Sequence, residues 1–440
     1  MKVAVCAVFD VGKTNKKLFL FDQNYQIVYE ESVSLPETVD EDGDPCEDLE
    51  KLSEWITDSF QAIKTLESFD IKAVNFSAYG ASFVHVAADG KPVAPLYNYL
   101  KPYPPALQKQ FYETHGGEEN FATATASPVL GSLNSGMQLY RLKHEKPALF
   151  AQIKHSLHLP QYLSFLITGQ AYTDFTSVGC HTNLWNFSKS QYHDWILAEK
   201  IAEKFAPFQE ADCPIDTQNM SIGVGLHDSS SAIIPYTLGF TEPFLLLSTG
   251  TWNISLNPFN DTELTFEELQ SDCLCYLTHQ AKPVKAARLF AGNTHEIQTK
   301  RLAKHFNMSV DAYKDMTFDK SIIDQINDSL PFDKRDLSVF STYEVAYHEL
   351  VFDIVQLQIA STKMVIHNSP VKKIFVDGGF SKNLIFMNLL AKAFPKIEVY
   401  AAEVSQATAL GAAVVLHKSW NTKPLPKNII TLKHHQNAQL

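Results

Sequence analysis

Three short segments place small or hydroxyl residues directly after an apolar run. They are Phe9-Asp10-Val11-Gly12-Lys13-Thr14-Asn15, Ser248-Thr249-Gly250-Thr251-Trp252 and Asp377-Gly378-Gly379-Phe380-Ser381. Backbone N–H groups at a tight turn after a strand can face an anion together. The three segments therefore predict three walls of a cleft that holds a nucleotide.

The first segment contains Gly12-Lys13-Thr14, but two features exclude a P-loop. That motif requires a glycine five positions before Gly12, where this sequence has Ala7. A P-loop also opens a helix, whereas residues 17–21 are predicted to form a strand. We interpret the segment instead as a β-hairpin loop that binds phosphate.

In such a loop, Thr14 and Asn15 donate hydrogen bonds to phosphate oxygens, and Lys13 or Lys16 neutralises charge. Asp10 would face a magnesium ion through water, because this small hard cation keeps part of its hydration shell. An ordinary hairpin turn is the alternative for this segment taken alone.

The other two segments allow a ligand to approach the backbone closely. Ser248-Thr249-Gly250-Thr251 supplies hydroxyls and a glycine without a β-carbon, which lets phosphate reach the main chain. Gly378 and Gly379 lie between a predicted strand and a predicted helix, so they could pass under a base or ribose while Asn383 offers its amide. A tight strand-to-helix connection explains the two glycines equally well.

Residues 225–231 form a fourth element, which contains His227-Asp228 and precedes a predicted interdomain hinge at residues 236–243. A carboxylate that faces a cleft between domains can accept the proton of an attacking hydroxyl. The alternative role for Asp228 is that of a helix N-cap.

Length and charge narrow the function classes. The chain has 440 residues, more than one hydrophobic core usually serves, which predicts two domains. Its 37 basic and 49 acidic residues give a formal charge of −12, so its surface repels nucleic acid. No run approaches about 18 apolar residues, and the six cysteines are scattered. We expect no membrane span, reduced thiols and a cytoplasmic location.

The chain is predicted to form two α/β halves, residues 1–239 and 240–440. Each half opens with a strand, a polar loop and a strand, at residues 3–9 and 17–21 and again at residues 244–247 and 253–256. If Gly12 is aligned with Gly250, an offset of 250 − 12 = 238, Asp10 falls on Ser248. The two phosphate loops therefore occupy equivalent places in a pseudo-repeat.

Other elements are predicted around these loops. Residues 343–366 have apolar side chains on most faces, which indicates a buried helix, and Ser381 is a plausible N-cap for a helix that ends at residue 394. A helix over residues 407–420 carries Gly411 among alanines, where another backbone must come close. Residues 97–133 have the composition of irregular loops that shape a pocket.

The order of motifs resembles the FGGY carbohydrate kinases, which belong to the actin-like ATPase superfamily. It runs Asp-x-Gly, His-Asp, Ser-Thr-Gly-Thr, Asp-Gly-Gly and Ala-Leu-Gly-Ala-Ala at residues 409–413. Residues 127–153, 159–174, 177–198 and 379–416 also resemble segments of that family in order. The rhamnulokinase branch is the most similar, through residues 79–83, 97–99 and 227–232. This sequence departs from that branch at Ser82, in place of an aspartate, and at Leu100-Lys101, in place of Arg-Asp.

The resemblance implies a fold and a set of site residues. The fold is two actin-like, ribonuclease H-like α/β domains with a nucleotide and sugar cleft between them. Asp228 is implied as catalytic base and Asp10 as a magnesium-binding residue. The implied ATP-binding residues are Gly12, Lys13, Thr14, Asn15, Lys16, Ser248, Thr249, Gly250 and Thr251 for the phosphates, and Gly378, Gly379 and Asn383 for adenosine. The implied sugar-binding residues are Tyr79, Gly80, Ala81, Ser82, Phe83, His227 and Asp228.

The function implied by this resemblance is phosphoryl transfer from ATP, with magnesium, to a small ketose similar to rhamnulose, fuculose, ribulose or xylulose. Three alternatives stay open: a kinase of glycerol or another polyol, a non-enzymatic actin-like ATPase, and a catalytically weak sugar sensor. The implied partner is a small sugar, with no nucleic acid and no membrane, and a homodimer is left open.

Overall fold

Two mixed β-sheets form the framework, one in each half of the chain. A computed structural model describes residues 2–217, 220–326, 330–404, 406–426 and 429–435. The strands of the first sheet are β1 (Val3–Val11), β2 (Lys16–Asp22), β3 (Ile27–Val33), β4 (Phe69–Ala78), β5 (Ile215–Thr217), β6 (Met220–Ile222) and β7 (Leu226–His227). Their order is β5–β6–β4–β1–β2–β3, and β7 also pairs with β4.

The second sheet begins, like the first, with an antiparallel hairpin. Its strands are β8 (Phe244–Thr249), β9 (Asn253–Asn257), β10 (Cys273–Leu277), β11 (Pro283–Leu289), β12 (Lys373–Gly378), β13 (Glu398–Glu403) and β14 (Thr431–His435), in the order β10–β11–β9–β8–β12–β13–β14. In each sheet an antiparallel hairpin (β1–β2 or β8–β9) is followed by a parallel partner of its first strand (β4 or β12). The predicted pair of strand–loop–strand units is confirmed.

Buried apolar runs explain why β1 and β8 lie inside their sheets. Residues 5–9 and 244–247 are fully buried, as expected for strands that are covered on both faces. Short strand pairs lie outside the two sheets. They are Thr38–Val39 with Pro45–Cys46, Phe83–Val86 with His155–His158, and Trp185–Asn186 with Gln191–Tyr192.

Helices cover both sheets. In the first half they are Leu49–Lys64, Pro105–Thr114, Glu118–Thr125, Ser135–Glu145, Pro147–Gln152, Leu159–Thr168, Phe175–Val178, Trp195–Ala198, Asp228–Ala232 and Ile234–Gly239. In the second half they are Phe266–Gln270, Ala291–Phe306, Lys320–Ile323, Tyr343–Ile366, Leu384–Ala393, Ala407–Val415 and His417–Trp420. Short 3₁₀ turns lie at Gly131–Leu133, Ala202–Lys204, Ala312–Asp315, Phe332–Lys334, Leu337–Val339 and Gly379–Lys382.

Three local predictions are confirmed or corrected by these bounds. The buried helix Tyr343–Ile366 is confirmed at both ends. The prediction of irregular loops over residues 97–133 was wrong in part, because Pro105–Thr114 and Glu118–Thr125 are helices that bury Phe111 and Phe121. The predicted N-cap was also wrong: the side chain of Asn383, not of Ser381, accepts the N–H bonds that start Leu384–Ala393.

The helix Ala407–Val415 links the two halves. It packs with Cys6, Val8 and Ala73 of the first sheet in one apolar cluster. A Cβ atom on Gly411 would overlap the carbonyl oxygen of Ser231, which confirms the predicted close backbone contact. The second half of the chain thus reaches under the first sheet beside Asp228–Ala232.

Two further expectations concern whole-chain properties. No helix in the described part of the chain combines the length and the apolar character that a bilayer crossing requires. The six cysteines are free thiols, and all except Cys213 are buried.

Candidate active site

The first sheet brings Asp10 and Asp228 to one edge. Parallel pairing aligns Asp10 with Ser77 on β4, and Ser77 with Leu226 on β7. Carboxyl ends of parallel strands meet at the same edge of a sheet, where doubly wound proteins bind ligands. Because β7 ends at His227, the next residue, Asp228, begins its helix at this edge beside Asp10.

Asp10 lies between the two halves of the chain. The Thr408 hydroxyl, from the second half, donates to Asp10 Oδ2 at 2.8 Å, and the Ser231 hydroxyl donates to the Thr408 carbonyl at 2.7 Å. Burial raises the pKa of Asp10 to about 6, the hydrogen bond from Thr408 opposes the rise, and the Asp228 carboxylate adds to it. Thr408 was not predicted, although it directly precedes the Ala-Leu-Gly-Ala-Ala motif.

Asp228 is held by His227. Its Oδ1 lies 3.1 Å from His227 Nε2 and accepts the Ser229 N–H at 2.6 Å. Burial opposes ionisation of Asp228, but His227 and Ser229 outweigh it and lower the pKa of the carboxyl. The side chain is 33% exposed, so an ionised carboxylate is accessible from the cleft.

His227 is itself tightly packed. Its Nε2 lies 3.1 Å from Cys180 Sγ, and its backbone N–H donates to Thr176 Oγ1 at 2.9 Å. Burial opposes the charged form, but Cys180 and Asp228 raise the pKa of His227. Gly80 packs against this pair, since a Cβ atom there would lie 2.5 Å from Cys180 Sγ and 2.9 Å from His227 Cδ2.

Two tyrosines, Tyr79 and Tyr99, pack edge to face near the first hairpin loop. The ring centroids of Tyr79 and Tyr99 are 5.9 Å apart, and the Tyr79 hydroxyl donates to Glu47 Oε2 at 3.2 Å. Burial raises the pKa of Tyr99, and the Asp228 and Glu37 charges add to it. Tyr99 and Glu47 were not predicted as site residues.

The rest of the predicted sugar segment lies deeper. The Ala81 carbonyl accepts from Gln138 Nε2 at 2.8 Å, and Phe83 stacks on His158 with centroids 4.0 Å apart. The buried Ser82 hydroxyl has no hydrogen-bond partner among the described residues. These contacts place residues 81–83 in the packing behind the tyrosines.

Glutamates engage both lysines of the first hairpin loop. Lys16 Nζ lies 2.6 Å from Glu47 Oε1, with both side chains almost fully buried, and Lys13 Nζ lies 2.7 Å from Glu37 Oε1. The Gly12 N–H closes the turn on the Asn15 carbonyl at 3.0 Å. Lys16 is thus buried in an ion pair at the base of this loop, and Thr14 lies exposed at its tip.

The second and third motifs meet in the second sheet. Parallel pairing aligns Ser248 with Asp377 and Thr249 with Gly378. The Thr249 hydroxyl donates to the Asp377 carbonyl at 2.5 Å and accepts the Phe380 N–H at 3.0 Å. Gly378 has φ +89, and a Cβ atom there would overlap the Thr249 carbonyl oxygen, so only glycine fits.

A cavity of about 790 Å³ opens at these two turns. Residues 249–251, Gly379 and Asn383 line it together with Gly292 and His295 of the helix Ala291–Phe306. Gly292 packs so closely on the Gly250 carbonyl that a Cβ atom would overlap it. Asn383 Nδ2 donates to the Tyr347 hydroxyl at 2.7 Å. Gly292 and His295 were not predicted as site residues.

Comparison with known proteins supports the same two-part organisation. Residues 5–204 match the FGGY family of carbohydrate kinases, N-terminal domain, and residues 241–424 match the carbohydrate kinase FGGY, C-terminal domain. The chain belongs to the FGGY family of carbohydrate kinases. The expected family and two-domain α/β fold are thereby confirmed, and the kinase is a sugar phosphotransferase with ATP as co-substrate.

Solved structures share this kinase's fold at low identity. A xylulose kinase from Lactobacillus acidophilus has a TM-score of 0.79 and 16% identity over 99% of this chain and 94% of that chain. A gluconate kinase from the same organism has a TM-score of 0.80 and 15% identity over 99% of this chain and 94% of that chain. The Plasmodium falciparum glycerol kinase with ADP has a TM-score of 0.75 and 15% identity over 95% of this chain and 90% of that chain.

Proposed function

We propose that this kinase transfers the γ-phosphoryl group of ATP to a hydroxyl of a small, uncharged ketose, with Asp228 as the general base. The alignment of Asp10, Ser77 and Leu226 at one sheet edge carries the proposal. This register supports a shared site for Asp10 and Asp228, and Thr408 connects that site to the second half.

The chemistry requires little covalent work from the protein. Asp228 accepts the proton of the sugar hydroxyl while the hydroxyl oxygen forms a bond to the γ-phosphorus. The bond between the γ-phosphorus and the β–γ bridging oxygen breaks, and ADP is released. His227 holds the carboxylate at 3.1 Å, which orients it toward the cleft. Positioning of this kind supplies a large part of the rate in such reactions.

The residues present fit a magnesium ion. Asp10 and Asp228 are two acidic groups near one strand edge, and their mutual repulsion contributes to the raised pKa of Asp10. A divalent cation between Asp10 and the ATP phosphates would relieve this repulsion. When bound, the ion neutralises the charge of the phosphate oxygens.

The sugar side of the cleft favours an uncharged substrate. The two lysines of the first hairpin loop, which borders the Tyr79 ring, are balanced by Glu37 and Glu47, so these lysines offer no surplus positive charge to a sugar acid. Lys101 does not supply one either, because its buried ammonium lies 2.9 Å from both Asp42 and Asp44.

The rings of Tyr79 and Tyr99 offer apolar faces for the carbons of a sugar. We place the kinase nearest to the rhamnulokinase branch on the motifs described above. A polyol such as glycerol is the alternative substrate.

The test combines a substrate panel with a base variant. Ketoses, sugar acids and polyols are compared by ADP release, and Asp228→Asn is assayed with the best substrate. We expect turnover to fall by about 10² to 10⁴, with unchanged affinity for a non-hydrolysable ATP analogue. Asp89→Asn, in an exposed turn, is the matched control. Near-normal turnover of Asp228→Asn would contradict the role of this carboxylate.

A further inference from the structure

Arg288 is a buried cation on the side of the second sheet that meets the first half. It lies on β11, whose alternate residues Val284 and Ala286 pack with Cys180 in one apolar cluster. The Arg288 side chain is only 8% exposed, and its terminal nitrogen lies 2.6 Å from Asp272 Oδ1. Its buried Nε–H has no hydrogen-bond partner among the described residues.

On one side, Arg288 contacts the loop that carries Ser248-Thr249-Gly250-Thr251. Its guanidinium lies 5.4 Å from the ring centroid of Trp252, the next residue of that loop, a distance typical of a cation–π contact. Trp252 packs against Phe290 with ring centroids 4.4 Å apart and ring planes tilted by 37°. The guanidinium plane is therefore supported beside the second phosphate loop.

On the other side, Arg288 approaches the surroundings of Asp228. The ring of Tyr276 lies 5.3 Å from that of His227 and 6.1 Å from that of His181. Burial lowers the pKa of His181, and the Arg288 charge lowers it further; the same charge also acts on Tyr276. Tyr276 packs in the same apolar cluster as Val284 and Ala286, which share the Arg288 face of β11, so Arg288 lies on the face of the sheet that holds this neighbour of His227.

Transfer of a phosphoryl group requires hydrogen-bond donors around its oxygens. In phosphoryl transfer, charge spreads over three equatorial oxygens, and donors must meet it. Lys13 and Lys16 are already engaged by Glu37 and Glu47. A guanidinium has five N–H donors in a planar fork that matches phosphate, and Asp272 occupies only part of that fork.

We infer that Arg288 binds the transferring phosphoryl group from the second half of the chain, through the part of its fork that Asp272 leaves open. Trp252 and Asp272 hold the guanidinium in orientation. The inference rests on the proposed function, because it assumes that the γ-phosphoryl group lies between the second phosphate loop and Asp228.

The test compares two Arg288 variants with a control on the same strand. Arg288→Ala removes the guanidinium, and Arg288→Lys keeps the charge without the fork. Lys285→Ala is the matched control, because Lys285 is also buried and paired, with Glu268 at 2.7 Å, but Glu268 lies on the helix Phe266–Gln270. Turnover and binding of ADP and of β,γ-imido-ATP are measured for each.

For Arg288→Ala we expect turnover to fall by about 10² to 10³. Affinity for β,γ-imido-ATP should fall at least about tenfold, while ADP affinity stays unchanged, and added guanidinium should restore part of the turnover. Arg288→Lys should lose less turnover and show the same selective loss of imido-ATP affinity. Lys285→Ala should lower the melting temperature without this selectivity.

Equal losses of ADP and imido-ATP affinity without guanidinium rescue would overturn the inference, since a structural role alone produces that pattern. Normal turnover of Arg288→Ala on a sugar that the wild type phosphorylates would also overturn it and leave the proposed function intact. If the wild type phosphorylates no member of the panel but Arg288→Ala still loses imido-ATP selectively, the inference holds and the proposed substrate class fails.

Discussion

Replacing Asp10 by asparagine should make the free protein more stable and inactive at the same time. The folded structure raises the pKa of Asp10 from an ordinary 3.8 to about 6, first through burial and then through Asp228. A carboxyl group whose folded pKa is raised destabilises the fold at pH values above that pKa. The side chain that the proposed reaction needs therefore opposes folding at neutral pH.

The size of this effect follows from the pKa difference. The two values, 3.8 and about 6, differ by about two pH units, and each unit corresponds to ~1.4 kcal/mol. At about pH 7.5 the ionised carboxylate thus lowers the free energy of unfolding by up to about 3 kcal/mol. This is an upper limit because Asp10 keeps some exposure in the cleft. Near pH 5 about half of the effect should remain.

The assay is urea unfolding of the nucleotide-free protein at the two pH values. Asp10→Asn keeps an oxygen that can accept the Thr408 hydrogen bond, so the comparison isolates the charge. The control is Asp70→Asn on β4, because the Asp70 side chain is 46% exposed and pairs with Lys72 at 2.8 Å, and such surface pairs contribute about 0–1 kcal/mol. Asp174 and Asp377 also have raised pKa values, so the difference between variant and wild type is the relevant quantity.

The reasoning is refuted if Asp10→Asn is no more stable than wild type at neutral pH while Asp70→Asn behaves as expected. It also fails if the gain in stability grows as the pH is lowered through 6, because the linkage requires it to shrink. Sugar-dependent ADP release by Asp10→Asn at the wild-type rate would separately contradict the proposed role of this carboxylate at the phosphates.

Two further predictions concern packing and the first phosphate loop. Gly411→Ala should lower the free energy of unfolding by about 3 kcal/mol or more, because the new Cβ atom would overlap the Ser231 carbonyl oxygen. Gly239→Ala is the control and should change this free energy little, because the space around Gly239 is open. Thermal unfolding measures both variants. Glu47→Gln should lower the free energy of unfolding by about 3–5 kcal/mol by leaving Lys16 buried without its counter-charge. The double variant with Lys16→Met should recover most of that loss in urea unfolding, and no recovery would mean that the ion pair is not the cause.

Much of the fold could be predicted because it depends on local patterns. The buried runs of β1 and β8, and the long helix Tyr343–Ile366, are visible as apolar periodicity. The helices Pro105–Thr114 and Glu118–Thr125 were missed because their segment has a loop-like composition and only their tertiary contacts bury Phe111 and Phe121. Local patterns cannot report contacts of that kind.

Some residues of the candidate site could also be predicted from local sequence, and others could not. Asp10 and the glycine turns could be named because they follow predicted strands, and Asp228 because it precedes the predicted hinge; their roles stay predictions until the experiments above are done. Glu47 and Thr408 could not be named, since neither belongs to a recognisable motif. Their importance comes from hydrogen bonds and ion pairs to residues far away in the chain, such as Lys16 and Asp10.

The sequence by itself determined the family, the two hairpin loops and the close contact at Gly411, because each depends on residue type and spacing within a short segment. The tertiary structure alone decided that Lys16 is engaged by Glu47, that Thr408 contacts Asp10, and that Arg288 contacts Trp252 and Asp272. The physical reason is that the charge state and free donors of a side chain depend on its partners in space, and folding brings those partners from other parts of the chain.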